Sequence, residues 1–175
     1  MIFYLQLALG VILIIAMIYV ILVFLLPPAM GAPYVPTNNA AVQVMVGLAN
    51  IKPGERMVDL GSGDGRIVIA FAQRGIEAHG YEINPSLVFW SRLNIRRLGL
   101  HKKAFIHWRS FNRCDFSKFE IVTTYTLPRF MASLENRLQN TLPKNGRVVS
   151  HRFRFPNWQP SEVKDKVYLY KASQS

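Results

Sequence analysis

Gly61, Gly63 and Gly65 stand at alternate positions between an apolar run that ends at Leu60 and a helical pattern that begins at Arg66. The next alternating segment, "EAHGYEI", carries an acid, Glu82, next to its end. A turn with so little side chain lets a ligand approach backbone that would otherwise be shielded. The helix after it offers unpaired N–H groups and the positive end of a dipole. An acid closing the following strand, about 20 residues on, stands where ribose hydroxyls are bound. Together these features describe a site for an adenosine-containing ligand.

The charges narrow the ligand. Dinucleotide loops run G-x-G-x-x-G/A, and here the third position is Arg66, bulky where close helix–strand packing asks for a small residue. Asp64 adds a negative charge that a pyrophosphate would meet unfavourably. S-adenosylmethionine carries no phosphate but has a sulfonium and an ammonium, which an acidic loop favours. Asp59, at the end of the first strand, is placed to meet such a cation directly or through water. The expected cofactor-binding residues are therefore Asp59, Gly61, Ser62, Gly63, Asp64 and Gly65, then Glu82, Ile83 and Asn84, with Ser110 from a later segment.

These residues need an alternating framework to hold them. "RMVDLG", "EAHGYEI", "KAFIHWR", "FEIVTTYTL" and "RVVSHRF" read as five strands, and "DKVYLYKA" closes the chain as another. "GRIVIAFAQRG", "NPSLVFWSRLNIRRLG" and "RFMASLENRLQNTL" read as helices between them. Asn84, Pro85 and Gly99 supply cap, first turn and stop for the second. Before the first strand, Val42, Met45, Val46 and Ala49 recur at helical spacing behind Thr37, Asn38 and Asn39, all plausible caps. Strands alternating with helices predict an α/β, Rossmann-like sandwich: a mostly parallel sheet with helices on both faces.

The front of the chain is different. From Ile2 to Leu26 there is no charged residue and Gln6 is the one strongly polar side chain. At about 1.5 Å per residue this run spans a hydrocarbon core of about 30 Å. It lacks the basic start of a secretory signal and exceeds the usual apolar length of one. Residues 2–26 are expected to be a transmembrane helix, 27–36 a proline-rich connector, and 37–175 the catalytic domain. No Lys or Arg precedes Lys52, and the formal net charge is +11. The positive-inside tendency then places the domain on the cytoplasmic side, although the nearest cations lie beyond the usual window. A lone cysteine, Cys114, fits that reducing compartment. The cationic excess suits a domain tethered beside an anionic leaflet. Scattered basic residues, not gathered in one tract, make nucleic acid the weaker partner. His79, His101, His107 and His151 show no metal-ligand spacing, so no metal is expected.

"VDLGSGDGRIVIAFA", "HGYEINPSLV" and "SRLNIRRLG" resemble class I S-adenosylmethionine-dependent methyltransferases. With "YVPT" ahead of the domain and "RFRFPNW" after the fifth strand, the resemblance narrows to the lysine N-methyltransferases of the ATP synthase c-subunit and the adenine nucleotide translocase. It runs from about Tyr34 to Trp158, and those enzymes also carry an N-terminal membrane segment. The glycine loop is more distantly similar to that of the non-SET histone-lysine methyltransferases. The resemblance implies a methyltransferase using S-adenosyl-L-methionine. One departure stands out: where the family has an acid after the third strand, contacting the adenine amino group, this chain has Ser110. Asp115 lies too far along to replace it.

The expected reaction is methylation of a lysine on a membrane-associated protein. The free amine pKa is about 10.4, so an apolar channel that disfavours the ammonium assists. No catalytic residue is assigned; Tyr125, Leu127 and Pro128, following the fourth strand, are expected to line the transfer site. Tyr125, Phe155 and Trp158 are expected to bind substrate, the last two beside Phe153 as an aromatic wall. "YVPT" is expected to fold over the cofactor. Two other functions fit the residues: an inactive cofactor-binding membrane module, suggested by Ser110 and a short tail, or a methyltransferase for RNA or a small lipid-like molecule.

Overall fold

The computed structural model of the chain describes residues 1–21 and 35–172. Its sheet has seven strands: β1 (Arg56–Leu60), β2 (Glu77–Glu82), β3 (Ala104–Trp108), β4 (Ile121–Thr124), β5 (Arg147–His151), β6 (Glu162–Lys164) and β7 (Val167–Lys171). They lie in the order β3-β2-β1-β4-β5-β7-β6. The first five are parallel, and β7 runs antiparallel to both β5 and β6. The expected mostly parallel sandwich is thus present. The tail is not short of structure, however. Asp165 and Lys166, both at positive φ, turn β6 back onto β7 and complete a terminal hairpin.

Alternation along the strands sorts the core into two layers. Met57, Ile121 and Val149 face one side with Leu169, and pack with Met45, Val68, Phe71 and Ile95. Those partners come from α2 (Asn39–Ala49), α3 (Arg66–Ala72) and α4 (Pro85–Arg97). Val58, Val122, Val148 and Tyr170 face the other side, against Met131, Leu134 and Leu138 of α5 (Pro128–Thr141). Two short 3-10 turns, Phe111–Arg113 and Phe116–Lys118, finish that layer. The starts of α2 and α4 are held as their sequences suggest. Asn38 Oδ1 accepts from the Ala41 amide at 2.7 Å, and Asn84 Oδ1 from Ser86 at 3.0 Å.

A separate helix, α1 (Ile2–Val20), has no buried residue and is long and apolar enough to cross a membrane. The end of the expected span, at Leu26, and most of the proline-rich connector lie outside the described residues.

Candidate functional site

The chain leaves β1 through the three glycines, all at positive φ: Gly61 +80°, Gly63 +55° and Gly65 +81°. Backbone bonds seat this loop on the end of β2, where the Tyr81 carbonyl accepts from the amides of Gly61 (2.9 Å) and Ser62 (3.0 Å). The glycines have different duties. A Cβ on Gly65 would stand 2.9 Å from Ser91 Cβ, so this residue lets α4 pack against the loop. A Cβ on Gly61 would meet nothing within 4 Å, so the space above its backbone is open.

Glu82 fastens the loop from below. Its Oε2 accepts from the Gly63 amide at 2.9 Å, and its Oε1 from Ile83 (2.8 Å) and Asn84 (2.7 Å). At 8 % exposure a carboxylate requires such partners, and Oε2, with one donor, keeps acceptor capacity. Asp59 lies deeper, with Thr123 Oγ1 donating to its Oδ1 at 2.7 Å. Burial pushes its carboxyl up to about 7, helped by the charges of Glu82 and Asp64 and opposed by the Thr123 bond.

Asp64 behaves otherwise than its position suggests. The Arg66 guanidinium clasps it, Nε to Oδ1 at 2.9 Å and Nη2 to Oδ2 at 2.6 Å, and reaches the Thr37 carbonyl through Nη1 at 2.7 Å. Its charge is therefore matched within the loop. Arg66 is tolerated because Gly65 already supplies the close packing, and its side chain ties the loop to the segment ahead of α2.

One cavity gathers these parts. Asp59, Gly61, Ser62, Gly63 and Asp64 line it, as do Glu82, Ile83 and Asn84. Gly65 sits behind it, as the packing residue. Val35, Pro36 and Thr37 of the "YVPT" segment form one wall; Tyr34 is outside the described residues. The wall after β3 is Arg109 to Asn112, with Ser110 Oγ capping its own turn by accepting from the Asn112 amide at 3.3 Å. Asp115 caps the next turn and pairs with Lys118 at 3.2 Å, away from the cavity as its spacing implied.

The wall after β4 is Tyr125, Thr126 and Phe130. Leu127 and Pro128 instead open α5 as its cap position and first residue, and do not line the cavity. Tyr125 stacks on Phe153, centroids 6.1 Å apart, and leans on His151 at 4.6 Å. Arg152 Nη1 donates to its hydroxyl at 3.4 Å. Burial, with the charge of Arg152, lowers the His151 pKa, so this imidazole is neutral near pH 7.

The expected aromatic wall of Phe155 and Trp158 is not there. Both are buried against Tyr170, at 4.8 and 5.3 Å between centroids, and the Tyr170 hydroxyl accepts from the Phe155 amide. They seal the far core layer because the backbone turns down over α5 after β5. Phe111, Asn112, Phe130 and Thr126 were not anticipated. Their shared signal is register: each follows a parallel strand at the carboxyl edge, where such sheets bind ligands.

A wider cleft, ringed by Lys52, Lys144, Lys164 and Lys171, opens beside the start of β5. It lies at the opposite edge of the sheet, where the parallel strands begin, far from Glu82 at the end of β2.

Comparison with known proteins agrees with this geometry. The family model described as "ANTKMT methyltransferase domain" matches residues 59–162. The human lysine N-methyltransferase of the ATP synthase c-subunit is 39% identical over 145 residues, covering 81% of this chain and 62% of the relative. The chain thus spans about three-fifths of that protein's length. A protein-lysine N-methyltransferase of Saccharolobus islandicus is 34% identical over 148 residues, covering 79% of this chain and 92% of the relative. Among solved structures, an RNA methyltransferase from Salinibacter ruber, in complex with S-adenosyl-L-homocysteine, superposes with a TM-score of 0.77 at 34% identity, covering 81% of this chain and 95% of that one.

Proposed function

The chain belongs to the ANTKMT methyltransferase-domain family, within the class I S-adenosylmethionine-dependent methyltransferases, and from that premise we propose that it is a membrane-anchored protein-lysine N-methyltransferase. Its residues fit the cofactor. The space over Gly61 is a cradle that any side chain there would fill, and Glu82 beneath it retains an acceptor. When bound, S-adenosylmethionine supplies an electrophilic methyl group on a sulfonium.

The chain's own residues hold, orient and dehydrate. Glu82 would accept from the ribose hydroxyls, and Asp59 would offer its carboxylate to the cationic amino-acid end. Ser110 and Asn112 would edge the adenine, and Ser110, a neutral hydroxyl where the resemblance implies an acid, would give a contact without ionic reinforcement. Val35 to Thr37, Phe111 and Phe130 keep water from the reaction path. Tyr125 lines the acceptor's approach, where an aromatic, poorly hydrated surface disfavours a lysine ammonium and favours the free amine. Positioning the amine in line supplies much of the acceleration.

The division proposed for the chain is an anchor over 2–26, a connector over 27–36 and a methyltransferase domain over 37–175. Val35 and Pro36, at the connector's end, belong functionally with the domain. Support for the anchor is α1, uncharged, apolar but for Gln6, and with no buried residue. Support for a cytoplasmic domain is the lack of Lys or Arg before Lys52. Tethering confines enzyme and a membrane-borne acceptor to two dimensions and raises their effective concentration.

The observation that carries the reading is the Glu82 carboxylate binding three amides beneath an open glycine turn. The test is to incubate membranes containing the protein or its Glu82→Ala variant with a labelled methyl donor. Label on lysine of a membrane protein, lost in the variant, is expected. Label entering RNA or a small molecule, or no label at all, overturns the reading.

A further inference from the structure

Three large apolar side chains stand out in water beside the cavity mouth: Phe89 is 63% exposed, Trp90 51% and Trp108 62%. Tryptophan seldom stands half out of a soluble surface without a partner for it. Phe89 and Trp90 lie in the second turn of α4, whose first turn supplies Leu87 to the cavity wall. Trp108 ends β3, and its indole N–H donates to the Ile83 carbonyl at 3.0 Å. Ile83 lines the cavity, and so do Arg109 and Ser110 immediately after Trp108. The three rings therefore share the carboxyl edge of the sheet with the mouth.

The net charge toward solvent at this edge is positive. Arg109, Arg113 and Arg152 are exposed there, Asp59 and Glu82 are buried in the cavity, and the more accessible Asp64 and Asp115 are each paired with a cation, Arg66 and Lys118. Exposed aromatic rings, one indole with its N–H engaged, flanked by arginines, are the composition of a surface that seats in the headgroup region of an anionic bilayer.

The tether points the same way. Residues Val35 to Thr37 enter the domain as a wall of this cavity, so the chain arrives from the N-terminal helix at this edge. If the apolar run extends to Leu26, eight residues remain before Val35. Eight residues reach at most about 28 Å. A domain of this size, about 15 Å in radius of gyration, is roughly 40 Å across, which exceeds that reach. The edge carrying the rings is therefore the edge held nearest the bilayer.

We infer that Phe89, Trp90 and Trp108, with Arg109 and Arg113, form a membrane-docking surface that seats the cavity mouth on the lipid headgroups. This rests on the anchored reading above and adds to it a fixed orientation: the site opens onto the membrane plane. The basic cleft at the opposite edge then faces the aqueous side.

The chain has three tryptophans, Trp90, Trp108 and Trp158, and none lies in the apolar helix, so indole fluorescence reports on the domain alone. The full chain is reconstituted into phosphatidylcholine–phosphatidylglycerol vesicles whose acyl chains carry bromine near the headgroups. Brominated lipid is expected to quench the emission. Trp158→Phe should retain the quenching, since Trp158 is buried, and the double variant Trp90→Phe/Trp108→Phe should abolish it. Vesicles that float with the protein but leave its emission unquenched overturn the docking while the anchor stands. Protein that fails to float with the vesicles overturns the anchor and the docking together. Shielding of Trp90 and Trp108 only when an acceptor protein is added assigns the surface to that protein and overturns the lipid assignment.

Discussion

Asp59 and Glu82 are both buried acids on one cavity, yet their surroundings give them different work. Glu82 is surrounded by amides and stays a fixed acceptor, while Asp59 is pushed up to about 7 by burial. A carboxyl raised in the folded state favours the fold most when protonated. Its contribution to the ligand-free protein is full at acid pH, below the ordinary carboxylate range, and is lost as pH rises through about 7. A cationic ligand demands the ionised form, so affinity for S-adenosylmethionine should rise with pH, by up to about tenfold per unit below pH 7. Titration calorimetry across the range from about pH 5.5 to about pH 8 checks this, and Asp59→Asn should flatten the slope. A wild-type affinity independent of pH would remove Asp59 from the cation's surroundings. Both acids were legible as strand ends, because strand ends are set by local pattern. The direction of Phe155 and Trp158 was not, because the aromatics around Pro156 depend on how the chain crosses α5.

At the scale of elements, the loop between β1 and α3 separates two roles that its spacing makes look alike. Gly65→Ala would force a Cβ to 2.9 Å from Ser91 Cβ at a φ of +81°, and should cost about 1–3 kcal/mol of stability. Gly61→Ala carries only the positive-φ strain, about 1 kcal/mol, but puts a methyl group into the open cradle. Thermal unfolding should therefore single out Gly65→Ala, and cofactor binding should single out Gly61→Ala. Equal effects on both measurements would refute the division. The hairpin of β6 and β7 shows what local pattern hides. All three residues of β6 are exposed, so the strand carries no apolar alternation. Its turn is Asp165-Lys166 at positive φ, not the Asp-Gly that announces such a turn.

Across the whole molecule, one buried ion pair joins parts far apart in sequence. Arg147, at the start of β5, binds both carboxylate oxygens of Glu55 just ahead of β1, at 2.9 and 2.6 Å. It also donates to the carbonyls of Ala49 and Asn50 at the end of α2. Burial alone would raise the Glu55 pKa, but the Arg147 bonds, the Lys52 amide and the Arg147 charge together outweigh it and hold the carboxyl below its ordinary value. The pair's contribution is therefore present above the ordinary carboxylate range and lost as pH falls through the lowered value. Glu55→Ala leaves the guanidinium buried without its counter-ion and should cost about 3–5 kcal/mol in chemical denaturation. A loss below about 1 kcal/mol would mean that the pair behaves as an exposed one.

The glycine turn, the acid one strand on, the caps Asn38 and Asn84, and the apolar front segment were all legible in the amino-acid order, because backbone freedom, capping and hydrophobic period act over a few residues. Tertiary structure alone decided that Arg66 reaches back to the Thr37 carbonyl, that Glu55 meets Arg147, and that Phe89, Trp90 and Trp108 share an edge with the cavity mouth. Those facts depend on which strands become neighbours, and contacts such as the one between positions 55 and 147 exist only once the sheet has closed its order.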